Sequence, residues 1–327
     1  MPAKKAPKFN PKSIQKMEYT VISFMLLFGV AFVALSFLTG AENVWQKLTM
    51  LNLSTWLTVI SLSIINYCAR GLKWHLFAQK LQLGVPIRRL FLYYFSGMSM
   101  TVTPGKVGTG IRLWFFQRCH QVRYARSLPL MVMDPITDLA ALLILCVIGG
   151  LSFTAGGQNT SVIALCLITF VAVVFLNKPS WISKTIKALY SLTGKRKKRL
   201  FASLQRLAKN ITQLVSPWLF IKTVALSLLG WAAMALSFQM ILNQMGADLT
   251  FLQCGFIFSF AIILGSATMS PGGLGGTEAT MIALLATLNI PLEIAVPATV
   301  VIRFTTLWLG VLIGFAHLPF SMKLAKK

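Results

Sequence analysis

The chain has 327 residues, of which 56% are apolar and only 12% charged, and its mean hydropathy is +0.73. A water-soluble domain of ordinary composition is about a quarter charged, so this composition excludes one and places most of the surface against lipid. The 31 Lys and Arg against 7 Asp and Glu leave a net charge of +24, on too little polar surface for a soluble nucleic-acid-binding fold. That charge belongs at one membrane face or along a route through the bilayer.

Taken in chain order, residues 1–19 carry five basic residues and read as a cytoplasmic tail. Apolar runs long enough to cross ~30 Å of hydrocarbon follow at 20–40, 53–70, 128–150, 159–177, 220–243 and 295–316, giving six predicted spans. The first reads as a span and not a cleaved signal peptide, because no small-residue cleavage site follows before Glu42. Two more apolar stretches, 90–119 and 251–288, are interrupted by Thr103-Pro104-Gly105-Lys106-Val107-Gly108 and by Ser270-Pro271-Gly272-Gly273-Leu274-Gly275-Gly276. Both read as helix pairs broken at membrane depth. The five cysteines, Cys68, Cys119, Cys146, Cys166 and Cys254, form no C-x-x-C pair and read as small buried hydrophobes.

Lys and Arg between spans set the orientation. Residues 70–89 hold five, 112–126 four, 178–222 eleven and the tail after 317 three, whereas 127–177 and 223–302 hold none. Both termini and the 178–222 segment are therefore expected in the cytoplasm. The first broken pair then enters and leaves from the cytoplasm. The second enters and leaves from outside, with two full spans as the alternative for 251–288. Within 178–222, Leu200, Phe201, Leu204, Leu207, Ile211, Leu214 and Val215 recur at three and four, opposite Arg206 and Lys209. This stripe predicts a helix on the inner leaflet, with residues 195–209 against anionic headgroups or simply an ordinary basic loop.

Thr103-Pro104-Gly105 falls on Ser270-Pro271-Gly272 at an offset of 167 residues, and Leu128-Pro129 on Val296-Pro297 at 168. The predicted fold is thus an all-α, polytopic membrane protein of six spans plus two broken or re-entrant helix pairs. They form an inverted-topology repeat with halves 20–150 and 151–317 and a basic tail at 318–327. In such repeats the ligand site lies near the midplane, where broken helix ends point at it. Glycine suits a break because it tolerates positive φ and lets a ligand reach the backbone, and a helix N-terminus attracts phosphate or carboxylate.

The predicted substrate-binding residues are therefore Pro104, Gly105, Lys106, Gly108, Arg112, Pro271, Gly272, Gly273 and Gly275. Asp134, Asp138, Glu278 and Arg303 are ionisable groups at membrane depth, which are costly enough to be functional by default. Asp134 and Asp138 share a helix face and are expected to pair with Arg303 or Lys106, as a structural network or as part of a substrate or proton pathway. Gly105-Lys106 lacks the Ser/Thr and upstream glycine of a phosphate-binding P-loop, and His75, His120 and His317 stand apart, with no H-E-x-x-H. No catalytic residue, metal site or cofactor is assigned.

These residues carry a resemblance. Thr103-Pro104-Gly105-Lys106-Val107-Gly108 with Arg112, the Asp134 to Asp138 stretch, Ser270-Pro271-Gly272-Gly273-Leu274-Gly275 with Glu278, and Arg303 resemble the flippase-like membrane family that includes the transmembrane region of lysylphosphatidylglycerol synthases. The likeness runs from about residue 15 over nearly the whole chain. It implies an integral protein of a bacterial or archaeal cytoplasmic membrane that moves lipid between leaflets. Asp134-Pro135 departs from the acidic-Arg pair common in the family, and no soluble synthase domain is expected to follow the last span. The leading expectation is a transporter or flippase for an anionic phospholipid or lipid-linked intermediate. The alternatives are a metal-dependent lipid-modifying enzyme using Asp134 and Asp138, and a scaffold for a lipid-synthesis enzyme partner.

Overall fold

The computed structural model describes residues 23, 41–103, 108–153, 214 and 216–326. The basic tail, most of the 20–40 run, the 159–177 run, most of the 178–222 segment, and Pro104, Gly105 and Lys106 lie outside the described residues. All regular structure among the described residues is helical. The helices are α1 (Ala41–Thr49), α2 (Leu53–Lys80), α3 (Ile87–Met98), α4 (Ile111–His120), α5 (Tyr124–Phe153), α6 (Pro217–Gln244), α7 (Phe251–Ala267), α8 (Gly276–Thr287), α9 (Leu292–Arg303) and α10 (Leu309–Lys326).

Local sequence explains most of the boundaries. Asn52 accepts a hydrogen bond from the Thr55 amide at 2.8 Å and starts α2, while Thr250 and Gln253 form a reciprocal capping box that starts α7. Pro217 occupies the first turn of α6, where its missing N–H costs nothing. Helices α9 and α10 join through a π-helical turn, Phe304–Trp308, into one apolar segment, Leu292–Lys326. That segment, Tyr124–Gly150 and Pro217–Gln244 are long and apolar enough to cross a membrane.

Two expectations need correction. The run ending at residue 70 continues as helix to Lys80, because no Pro or Gly-rich breaker stops it and Trp74, Phe77 and Ala78 still face the core. Residues 41–49, expected as loop, form α1, held where Lys47 Nζ donates to the Met245 carbonyl at 3.0 Å, just past the C-terminus of α6. A lysine there meets the negative helix end.

Both broken segments are broken as expected. α3 stops at Met98 and α4 begins at Ile111, while α7 stops at Ala267 and α8 begins at Gly276, with a 3-10 turn at Pro271–Gly273 between them. In each pair a glycine lets the arms close. A Cβ on Gly97 would collide with the Arg112 side chain, and one on Gly265 with Thr277, the second residue of α4 and of α8 respectively.

The order long helix, broken pair, long helix thus occurs twice, and the helices pack across the two halves. α2 lies against α6, α5 against α7 and α3 against α10. Ser63 meets Met234, Asn66 meets Gly230 and Lys73 meets Ser227, so α2 and α6 run antiparallel. The α3–α10 crossing is antiparallel too, with Phe95 on His317, Ser96 on Ser321 and Ser99 on Gly314.

Two large apolar cores result, beside a small cluster of Ala140, Ala141 and Val224. One gathers Trp74, Leu90, Tyr94, Ile111, Phe116 and Val311, the other Val59, Phe238, Ile257, Phe258, Met281 and Ile302. Matching glycines sit at the two crossings: a Cβ on Gly149 would strike the Leu252 carbonyl, and one on Gly314 the Ser99 amide. Because backbone cannot swing aside, Gly314→Val is expected to cost about 1–3 kcal/mol or more, read as a lowered thermal midpoint in detergent. Gly255→Ala, which meets only the Leu145 side chain at 3.2 Å, is expected to cost less.

Candidate functional site

Four charged side chains meet where α2, α5 and α6 cross. Lys73, fully buried, places Nζ 2.7 Å from Asp134 Oδ1 and 2.5 Å from Asp138 Oδ1, and it also donates to Ser227 Oγ at 3.0 Å. Arg70 donates to the other Asp138 oxygen at 2.8 Å and stacks over Trp231 at 5.2 Å. Ser227 Oγ lies 2.8 Å from Asp138 Oδ1. The residue periods explain the convergence. Arg70 and Lys73 are three apart on α2, Asp134 and Asp138 four apart on α5, and each pair shares a helix face. Burying such charges is tolerable only with close counter-charges and further hydrogen bonds; the counter-charges are present, while Arg70 Nε and Asp134 Oδ1 have no hydrogen-bond partner among the described residues.

Arg112 adds a third cation without a matching acid. It is the second residue of α4, is 6% exposed, and lies over the rings of Tyr94 at 4.2 Å and Trp74 at 5.0 Å. Among the described residues its Nε has no hydrogen-bond partner and no carboxylate lies within ion-pair distance of it. Part-buried Arg70 with buried Lys73 and Arg112, against Asp134 and Asp138, leaves one positive charge in excess among these groups. The aromatic faces offset part of the desolvation cost, but the in-plane hydrogen-bonding edge of a guanidinium is satisfied by an oxyanion.

The second break is organised by α9. Arg303, 3% exposed, donates through Nε to Glu278 Oε1 at 2.5 Å and through Nη2 to the Gly272 carbonyl at 2.7 Å. The other oxygen of Glu278 accepts from the Gly275 amide at 2.7 Å. Gly272, Gly273 and Gly275 all have positive φ, at 64°, 73° and 84°, which L side chains adopt at a cost. The two breaks meet here: a Cβ on Gly272 would lie 3.7 Å from Val102, just before the first Pro-Gly, and 3.2 Å from Leu307 in the π-helical turn. That turn directs the Thr305 carbonyl to Tyr67 Oη at 2.6 Å, one turn along α2 from Arg70. π-Helical turns of this kind recur at functional positions.

The expected network is therefore corrected. Arg303 pairs with Glu278, and Asp134 and Asp138 pair with Lys73 and Arg70. A carboxylate already occupies the N-terminus of α8, so the second break holds a lock where the first holds a cation. Of the sequence-predicted residues, Arg112, Asp134 and Asp138 come together around α2. Pro271, Gly272, Gly273, Gly275, Glu278 and Arg303 form the second group, and Gly108 lies in the 3-10 turn that leads into α4. Lys106 with Pro104 and Gly105 lies outside the described residues.

Sequence reasoning missed Arg70, Lys73, Trp74, Tyr94 and Ser227. The signal was present, since Arg70 and Lys73 continue the helical period of the preceding span with no breaker between. A hydropathy reading that ends the span at residue 70 makes them loop charge.

Removing one partner of the second pair strands the other. Glu278→Ala is expected to destabilise by about 3 kcal/mol, and Glu278→Ala with Arg303→Leu by less, since no buried charge then lacks a partner. Thermal midpoints of the singles and the double in one detergent check this.

A family model described as "Lysylphosphatidylglycerol synthase TM region" matches residues 21–314. Two curated relatives are similar over most of their length. A "UPF0104 membrane protein" of Methanothermobacter thermautotrophicus is 20% identical over 322 aligned positions, covering 91% of this chain and 95% of the relative. One of Pyrococcus horikoshii is 23% identical over 289, covering 78% and 84%.

Proposed function

The chain is a membrane protein belonging to the family of the lysylphosphatidylglycerol synthase transmembrane region, and from that premise we propose that it moves an anionic phospholipid or lipid-linked intermediate between the leaflets of a cytoplasmic membrane. The observation that carries this reading is Arg112, a buried guanidinium on aromatic faces with no acid partner among the described residues, at the mouth of the first helix break. A phosphodiester supplies the one negative charge and the planar pair of oxygens that Arg112 lacks. An anionic headgroup crossing ~30 Å of hydrocarbon needs such polar stations. The adjacent cluster of Arg70, Lys73, Asp134, Asp138 and Ser227 and the backbone groups freed at the two breaks extend them.

In this reading the two halves form an inverted-topology repeat whose broken pairs enter from opposite faces, with both termini on the basic, cytoplasmic side. Its supports are the antiparallel α2 and α6, the reciprocal crossings of α5 with α7 and of α3 with α10, and the matched glycines at 149 and 314. The substrate then passes at the meeting of the two breaks, where such repeats place their sites. As for Asp134 and Asp138 acting as metal ligands, the Lys73 ammonium sits between the two carboxylates, where a divalent ion would have to be.

The direct test is leaflet exchange of headgroup-labelled phosphatidylglycerol in liposomes holding only this protein. Exchange at least tenfold faster than in empty vesicles is expected. Exchange no faster than in empty vesicles, with the protein folded, would refute the proposal.

A further inference from the structure

A groove of about 340 Å³ lies between the start of α3 and the end of α10, away from the buried charges, lined by Arg89, Leu92, Phe320, Lys323 and Leu324. The two helices are tied together beside it, where the buried hydroxyls of Ser96 and Ser321 meet at 2.7 Å. Its wall is apolar and open, with Phe320 65% exposed, and both rim cations are exposed. The charge around it has one sign. Arg118 on α4 reaches the Ala325 carbonyl at 2.9 Å, so the end of α4 is at the same end of the molecule. Arg88 and Lys326 flank the rim, and the sequence has no acid in 43–133 or 294–327.

We infer that this groove binds one anionic phospholipid from the leaflet at the basic face, its phosphate held by Arg89 and Lys323 and an acyl chain laid against Leu92, Phe320 and Leu324. The juxtaposition selects this occupant. Two cations at an apolar slot between membrane helices match a phosphate joined to hydrocarbon, and basic pockets between helices on the cytoplasmic side take such headgroups. A zwitterionic lipid adds a positive charge beside Arg89 and Lys323, and a free phosphate leaves the apolar wall uncovered. The bound lipid ties the first arm of one broken pair to the last helix. It is a resident lipid, distinct from the one bound at Arg112, and the inference does not depend on lipid movement.

The test uses the purified full chain in detergent, with phosphatidylglycerol carrying a photoactivatable acyl chain, and peptide mapping of the label. Labelling at residues 88–92 and 320–324 is expected in the parent. In Arg89→Gln with Lys323→Gln the half-saturating lipid concentration is expected to rise ~30-fold, at about 1 kcal/mol for each cation near the surface. Phe320→Asp, which puts an acid in the slot at an exposed position, is expected to weaken labelling as well. Arg112→Gln is expected to leave it unchanged, which separates this groove from the site at Arg112.

Equal labelling by photoactivatable phosphatidylcholine would reduce the groove to ordinary lipid contact and overturn the inference. So would parental labelling in the double variant. Displacement of the lipid by millimolar inorganic phosphate would replace it with a headgroup-only anion site.

Discussion

Asp138→Ala is expected to destabilise the protein by about 3–5 kcal/mol, the range for removing one partner of a buried charge pair. Its carboxylate serves Arg70 at 2.8 Å, Lys73 at 2.5 Å and Ser227 at 2.8 Å, from two helices besides its own. Removing it leaves Lys73, fully buried, with Asp134 as its single counter-charge, and leaves Arg70 with none. The cost then comes from stranded cations more than from lost attraction. Asp138→Asn keeps the shape and part of the hydrogen bonding and is expected to cost less. Adding Lys73→Met to Asp138→Ala is expected to recover part of the loss, because Arg70 and Asp134 then balance in charge, whereas the single variant leaves one cation in excess. Reversible unfolding in mixed micelles measures all three. If the double loses the sum of the two single effects, the groups are not energetically coupled as drawn.

The second large effect concerns lipid movement. Arg112→Gln is expected to slow exchange of anionic lipid at least tenfold, since a hydrogen bond to a charged group contributes about 1.5–3 kcal/mol and each 1.4 kcal/mol is a factor of ten. Folding is expected to survive. Arg112 makes no ion pair among the described residues, and glutamine still fits between Gly97 and the rings of Trp74 and Tyr94. Arg112→Lys keeps the charge but not the planar fork, and is expected to fall between. Gly273→Leu tests shape at the other break, where a Cβ would meet Thr277 Oγ1 at 2.8 Å and the φ of 73° is unfavourable for a side chain. Similar losses from a charge change at one break and a shape change at the other place both on one route.

Much of this was legible in the sequence. Pro104-Gly105 and Pro271-Gly272 mark breaks because proline lacks an amide donor and glycine releases the φ restraint, and the described helices stop at Met98 and Ala267 and resume at Ile111 and Gly276. Hydropathy places Asp134, Asp138, Glu278 and Arg303 within apolar segments, and all four are in ion pairs.

Their pairing was not legible. Glu278 and Arg303 are 25 residues apart, and only the fold of α8 back against α9 joins them. Arg70 and Lys73 were hidden because a hydropathy window treats a charge as the end of a span. A charge facing a carboxylate on a neighbouring helix does not have to leave the membrane. The aromatic seat of Arg112 was hidden as well, since Trp74 and Tyr94 come from separate helices and read as ordinary core residues.

The central claim is that one buried guanidinium, without an acid partner among the described residues, selects an anionic headgroup for passage. The measurement that tests it most directly compares leaflet exchange of phosphatidylglycerol and phosphatidylcholine, in proteoliposomes of the parent and of Arg112→Gln matched for folded protein. The account predicts at least tenfold preference for phosphatidylglycerol in the parent and loss of that preference in the variant, through slower exchange of the anionic lipid alone. Equal rates for both lipids in the parent, or an unchanged preference without Arg112, would contradict it.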